Sequence, residues 1–105
     1  MLTAADIGSI GEKIAAAWLG ANGWLGRQNT QLPGATDIEA RSGNRSILVQ
    51  VKTALFPNTP SDLTASERKA IVDRAGRNNR EAWLAQLQIN HNGALIGGIT
   101  WTKLN

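Results

Sequence analysis

Asp37, Gln50 and Lys52 bring an acid, an amide and an ammonium group into one short, otherwise apolar part of the sequence. The runs Gly34-Ala35-Thr36-Asp37-Ile38-Glu39-Ala40 and Ile47-Leu48-Val49-Gln50-Val51-Lys52 both read as extended chain. Between them, Arg41-Ser42-Gly43-Asn44-Arg45 is rich in turn formers. With Gly43-Asn44 at the tip, either common hairpin loop length pairs Ser42 with Arg45, and counting back sets Asp37 opposite Gln50. Opposed residues share a sheet face, with Cβ atoms roughly 5 Å apart. Lys52 lies two places beyond Gln50 and joins them, while Val49 and Val51 point away. Inward polar groups destabilise a fold unless they are satisfied. The plainest chemistry is a structural ion pair, with Lys52 neutralising Asp37 and Gln50 hydrogen-bonding to both. Clusters of this kind also build reactive sites. Residue types alone favour the ion pair.

The elements that must position these groups are legible from periodicity and caps. Residues 3–22 read as a helix closed by Asn22-Gly23 as a left-handed C-cap. Ile7, Ile10, Ile14 and Trp18 recur at helical spacing and are widened by Gly11, Ala15 and Leu19 into a core-facing stripe, with Glu12 at its border. Two capping boxes compete for the start, Thr3-Ala4-Ala5-Asp6 and Ser9-Ile10-Gly11-Glu12. The second would make Glu12 a helix-start residue only. The first is preferred, because Ile7 already belongs to the stripe. Gly8 and Gly11 would each cost about 1 kcal/mol relative to alanine, which implies close approach of another backbone near Glu12.

Residues 24–32 read as a strand interrupted by Gly26 and stopped by Pro33-Gly34, and the hairpin follows. Residues 56–62, with Pro57 and Pro60, read as a loop. Thr64-Ala65-Ser66-Glu67 is a capping box that opens a second helix running to about Asn78. The apolar side of that helix is thin, consisting of Ile71, Val72 and Ala75. Residues 82–90 alternate Trp83, Ala85, Leu87 and Ile89 on one strand face. Asn92-Gly93 signals a type I′ turn, and residues 95–102 return as the last strand. The order helix, three strands, helix, two strands gives an α/β sandwich with a mixed sheet. Core packing is the expected role of the four tryptophans. His91 falls in a predicted turn with no second histidine near it, and is excluded as a metal site.

Composition narrows the class. The 105 residues suit one domain spanning 1–105, and 42% hydrophobic with 18% charged residues suits a folded chain. The absence of cysteine excludes disulfides and thiolate metal sites. No apolar run is long enough to span a membrane, and the first residues lack the basic-then-apolar layout of a secretory signal, so the cytoplasm is the expected location. A net charge of +3 permits a polyanionic partner. Its distribution says more: Arg68, Lys69, Arg74, Arg77 and Arg80 put five of the eleven basic residues in one short segment.

The order acid, turn, Gln-x-Lys, with a glutamate upstream on a helix, resembles the PD-(D/E)xK nuclease superfamily, especially its small Holliday-junction-resolvase-like proteins. Their pattern is a helical Gly-Glu, an Asn-containing strand, Gly-x-x-Asp followed by an apolar residue, and an apolar strand ending Glu-x-Lys-Thr. The corresponding residues are Gly11-Glu12, Arg27-Gln28-Asn29, Gly34-Ala35-Thr36-Asp37-Ile38 and Gln50-Val51-Lys52-Thr53. The resemblance covers about the first half of the chain, and the ordered set is more specific than any one piece. Gln50 stands where most members carry glutamate. Some branches, Mrr-type restriction enzymes among them, also carry Gln-x-Lys, so the change removes a charge from the presumed metal site without excluding activity.

The resemblance implies a restriction-endonuclease-like sandwich and metal-assisted phosphodiester hydrolysis with Mg2+ or Mn2+. Asp37 would be the principal ligand and Glu12 a second, directly or through water. Gln50 would offer its amide oxygen and Val51 its carbonyl. Lys52 would orient or help deprotonate the attacking water and offset charge on the phosphate. Arg27, Arg41 and Arg45, with Arg68, Lys69, Arg74, Arg77 and Arg80, would hold the sugar-phosphate backbone. The implied partner is nucleic acid, with DNA favoured and branched or structured forms included, read by shape or backbone. A homodimer is implied by analogy alone. Two other readings stay open. One is a nucleic-acid-binding module that kept the fold and lost catalysis, which Gln50 and the small size support. The other is an interaction domain whose polar cluster is structural.

Overall fold

Thr3 starts the first helix, as the earlier of the two capping boxes requires. Its hydroxyl accepts from the Asp6 N–H at 3.1 Å, and the Asp6 carboxylate accepts from the Thr3 N–H at 2.9 Å. The helix α1 (Ala4–Ala21) ends in a Schellman arrangement: Trp24 N–H donates to Leu19 O, Gly23 N–H to Gly20 O, and Gly23 takes φ +87°. The second helix, α2 (Ala65–Arg77), repeats both devices. Thr64 and Glu67 form its capping box, and Asn79 at φ 53° closes it with Arg80 N–H donating to Ala75 O.

The computed structural model describes residues 1–28 and 37–105. The expected strand and stop over 29–36, including Asn29 and Pro33-Gly34, lie outside the described residues, as do the side chains of Arg27, Gln28 and Asp37. The strands are β1 (Leu25–Gln28), β2 (Asp37–Ser42), β3 (Arg45–Leu55), β4 (Glu81–Ile89) and β5 (Leu95–Lys103), in sheet order β1-β2-β3-β4-β5. The β3–β4 pair is parallel, with α2 as its crossover, and the other pairs are antiparallel. This is the expected mixed sheet and element order.

The central hairpin has the expected register, with Ser42 opposite Arg45 and Asp37 opposite Gln50. At its tip only Gly43 has positive φ, +59°. The second hairpin turn departs from expectation. Gly93 is left-handed at +81° but Asn92 is not, so the turn is not type I′, which requires positive φ at both central residues. Instead, Asn90 holds the loop: its side-chain oxygen accepts from the Asn92 and Ala94 N–H groups.

β3 is covered on both faces. Its odd positions Ile47, Val49 and Val51 pack with Ala15 and Leu19 of α1 and with Ile38, Ala85, Leu87 and Ile89. Its even position Leu48 packs with Ile71 and Ala75 of α2 and with Ala82, Leu84 and Leu104. The small residues Gly11 and Ala15, with Leu19, form the buried line of α1, while the isoleucines flank it half-buried. Close approach at Gly11 is as expected, but the neighbour is the side chain of Thr53, not a backbone, and Gly8 has open space. Three tryptophans, Trp24, Trp83 and Trp101, pack half-buried against this layer. None of the four is fully buried, so the core role expected for them is correct only in part: Trp18 is 40% exposed, its ring tilted by 39° against that of Trp101 at 4.9 Å.

Candidate functional site

Gln50 is the one buried polar residue of the described core, 9% exposed in the middle of β3. Its ladder neighbours are position 37 on β2 and Leu84 on β4. Lys52 follows on the same face, and its ammonium donates to Glu67 Oε2 at 2.7 Å. The period-2 expectation for Gln50 and Lys52 therefore holds, and both lie on the α2 side of the sheet. On the side away from β2, β3 pairs with β4 as far as Leu55. On the β4 side, Gln86 opposes Lys52 and donates to Ser61 O at 3.0 Å. Gln88 donates to Asn58 O at 2.7 Å, which lays the loop before α2 along that flank.

Glu67 was legible in the sequence only as a helix cap. It is that, with Oε1 accepting from the Thr64 N–H at 2.9 Å, but its other oxygen takes Lys52. The reason is helical geometry. Glu67, Ile71 and Ala75 fall at i, i+4, i+8, so Glu67 continues the stripe that packs on the sheet. That stripe runs over Leu48, and Lys52 lies further along the same strand face. The Lys52 hydrogen bond, followed by that from the Thr64 backbone, holds the Glu67 carboxyl below its ordinary range.

Glu12 is carried differently. It is half-buried and follows Gly11, which sits against Thr53, on the opposite face of β3 from Lys52. The resemblance would make Glu12 a ligand beside Gln50 and Lys52, whereas α1 covers the opposite face: period 2 says which residues share a face, not which helix covers it.

The basic residues divide between the two layers. On α2, Arg68 and Arg77 are exposed, Arg74 is half-buried, and Lys69 pairs with Asp73 at 2.6 Å. Arg80 pairs with Glu39 at 3.4 Å, and with Arg41 and Ser46 it lines a cavity of about 370 Å³ on the same side of the sheet as Lys52. Arg45 lies elsewhere. It forms a two-pronged bond with Glu81, at 3.0 and 2.9 Å, and stacks over Trp24 at 5.1 Å. All four tryptophans and Arg45 line a second cavity, of about 240 Å³, on the α1 side. The expected contact of Arg45 with the sugar-phosphate backbone thus competes with a ready carboxylate partner.

That pair makes a separate prediction. Arg45, helped by the Trp83 indole N–H, draws the Glu81 carboxyl from the usual 4.5 down to about 2. A carboxyl with a lowered folded pKa contributes stability above its unfolded value and loses it as pH falls toward the folded one. The melting temperature should therefore fall as pH drops from about 4.5 to about 2. Glu81→Gln should flatten that part of a melting-temperature series measured by circular dichroism. An equally steep series for the variant would assign the acid lability to other carboxyls.

Among the described residues, no three His, Cys, Asp or Glu side chains gather as a metal-binding group, and His91 is exposed in its turn. No helix among them is long and apolar enough to cross a membrane.

Comparison with known proteins agrees with the architecture. No protein-family model matches the chain. The fold is similar to that of Hjc, a Holliday junction resolvase from Archaeoglobus fulgidus, with a TM-score of 0.70 and 20% identity over 92% of this chain and 72% of that one. A UPF0102 protein of Leifsonia xyli subsp. xyli is 44% identical over 50 residues, which are 46% of this chain and 42% of that protein. The match thus spans less than half the length of the curated relative. The structural match shows that the chain shares the α/β fold of that resolvase, with the mixed five-stranded sheet and the element order described above.

Proposed function

We propose that this chain is a metal-dependent nuclease that hydrolyses phosphodiester bonds in DNA, structured or branched forms included. The observation that carries the reading is the placement of Gln50 and Lys52 on one face of a resolvase-like sheet, with position 37 opposite Gln50. The donors this reading assigns are hard oxygens: the Asp37 carboxylate, the Gln50 amide, the Val51 carbonyl and, directly or through water, the Glu12 carboxylate. Such a set fits Mg2+ or Mn2+ by donor type, since Mg2+ keeps several waters and needs few carboxylates. A divalent cation bound there supplies Lewis acidity and neutralises phosphate charge.

The chain's own groups do the rest. Lys52, held by Glu67, presents a fixed positive charge where negative charge builds on the phosphate and orients the attacking water. Arg41, Arg68, Arg74, Arg77 and Arg80 hold the backbone on the α2 side. Arg27 and Lys69 join them, with Arg45 if it exchanges Glu81 for phosphate. Pairing of two copies, by analogy with resolvase-like proteins, belongs to the same proposal. The neutral Gln50 favours one second reading, a module that binds DNA without cutting it.

The test is incubation with linear, flapped and four-way DNA in Mg2+, Mn2+ or chelator. Cleavage that needs the metal is expected. Salt-dependent binding without cleavage in any metal would establish the binding module, and neither binding nor cleavage would leave an interaction domain.

A further inference from the structure

We propose that Glu67 is the second acidic group of this site, taking over from α2 the carboxylate that Gln50 does not supply. The inference rests on the nuclease reading above. In the Glu-x-Lys pattern that the strand resembles, the acid and the lysine come from one strand, whereas here position 50 is a neutral amide. The only carboxylate bonded to Lys52 among the described residues comes from another element, at 2.7 Å.

Three features separate Glu67 from an ordinary cap. A capping box is satisfied equally by glutamine at this position, so the cap does not require the negative charge. Only Oε1 serves the cap, through the Thr64 N–H, while Oε2 is turned onto the sheet. Glu67 also lies in the i, i+4 series with Ile71 and Ala75, whose packing on Leu48 and Leu84 fixes where the carboxylate meets the strand. An ionised carboxylate accepts at about four lone-pair positions. The two observed bonds leave capacity for a cation. The pair is reachable from solvent, with Lys52 23% and Glu67 36% exposed. Glu67 is therefore assigned two tasks: it holds the Lys52 ammonium in place, and it gives the divalent ion a second negative oxygen.

The test uses the full chain and Mn2+ alone as probe. Glu67→Gln keeps the cap and removes the charge. Calorimetric titration should show Mn2+ affinity lowered about tenfold or more, with the metal-free melting temperature near that of the native chain. Adding Gln50→Glu to Glu67→Gln should restore the affinity, because the acid is returned to the strand. In the unaltered chain, Mn2+ should broaden the Glu67 and Gln50 nuclear magnetic resonances before those of Asp73, a carboxylate on the same helix. Unchanged Mn2+ affinity in Glu67→Gln, or broadening that spares Glu67, would overturn this assignment while leaving a metal-dependent nuclease intact. An unaltered chain that neither binds Mn2+ nor cuts DNA would overturn the nuclease reading, and this inference with it.

Discussion

On the proposed nuclease reading, Lys52→Ala should leave the fold in place and reduce metal-dependent DNA cleavage by about two to three orders of magnitude, the usual effect of removing one preorganised positive or hydrogen-bonding group from a transition state. The two halves of this expectation have separate physical causes. The stability effect is small because neither partner of the Lys52–Glu67 pair is deeply buried. Pairs this open to water contribute on the order of 1 kcal/mol or less. Glu67 left alone still accepts from the Thr64 N–H and is more than a third exposed, so no buried charge is stranded. The effect on cleavage is large because an ammonium held at 2.7 Å by a capped carboxylate is fixed before substrate arrives, and a mobile surface lysine cannot replace it. Rate measurements at saturating Mg2+, with melting curves on the same preparations, separate the two halves. Native-like cleavage by Lys52→Ala would take Lys52 out of the reaction. A variant that loses cleavage only together with its fold would reduce Lys52 to a structural role.

Much of this site was legible before the fold was known. The hairpin register follows from Gly43-Asn44 alone, and with it the pairing of Asp37 with Gln50 and the shared face of Gln50 and Lys52. Local signals decide such features, because turn chemistry and period 2 act over a few residues. What was not legible depended on long-range packing. Glu67 has a complete local explanation in its capping box, so nothing in the sequence asks for a second partner, and the tie to Lys52 exists only once α2 lies on the sheet. Glu12 illustrates the converse. Its neighbours mark it as nearly core-facing, but the side of the sheet that α1 covers is set by the topology of the chain. Arg45 looks like a phosphate contact until β4 brings Glu81 alongside, with Ile47 opposite Glu81 in the ladder. The tryptophans belong to the core only in part, three half-buried against it and Trp18 40% exposed. Their clustering around one surface cavity needed α1, β4 and β5 assembled.

Gly11→Ala should destabilise the protein by about 1–3 kcal/mol, the range for overpacking a filled core, although alanine is the better helix former by about 1 kcal/mol. A Cβ at position 11 would lie 2.7 Å from Thr53 Cβ and 2.8 Å from its Cγ2, and would also overlap Oγ1. Rotating the threonine moves Oγ1 and Cγ2 but not its own Cβ, so relief requires α1 or β3 itself to shift. β3 is the central strand, buried on both faces, and resists displacement. The helix would therefore move, carrying Glu12 with it. Gly8, one turn earlier on the same helix, has nothing within 4 Å of where a Cβ would go. Gly8→Ala should then show the helix preference alone, raising stability by up to about 1 kcal/mol. For a domain of this size each kcal/mol shifts the melting temperature by about 4–8 °C, so the two substitutions should move it in opposite directions in parallel melts. Equal shifts of the same sign would mean that Gly11 is not the point of closest approach between α1 and the sheet, and that the layer carrying Glu12 is free to settle elsewhere.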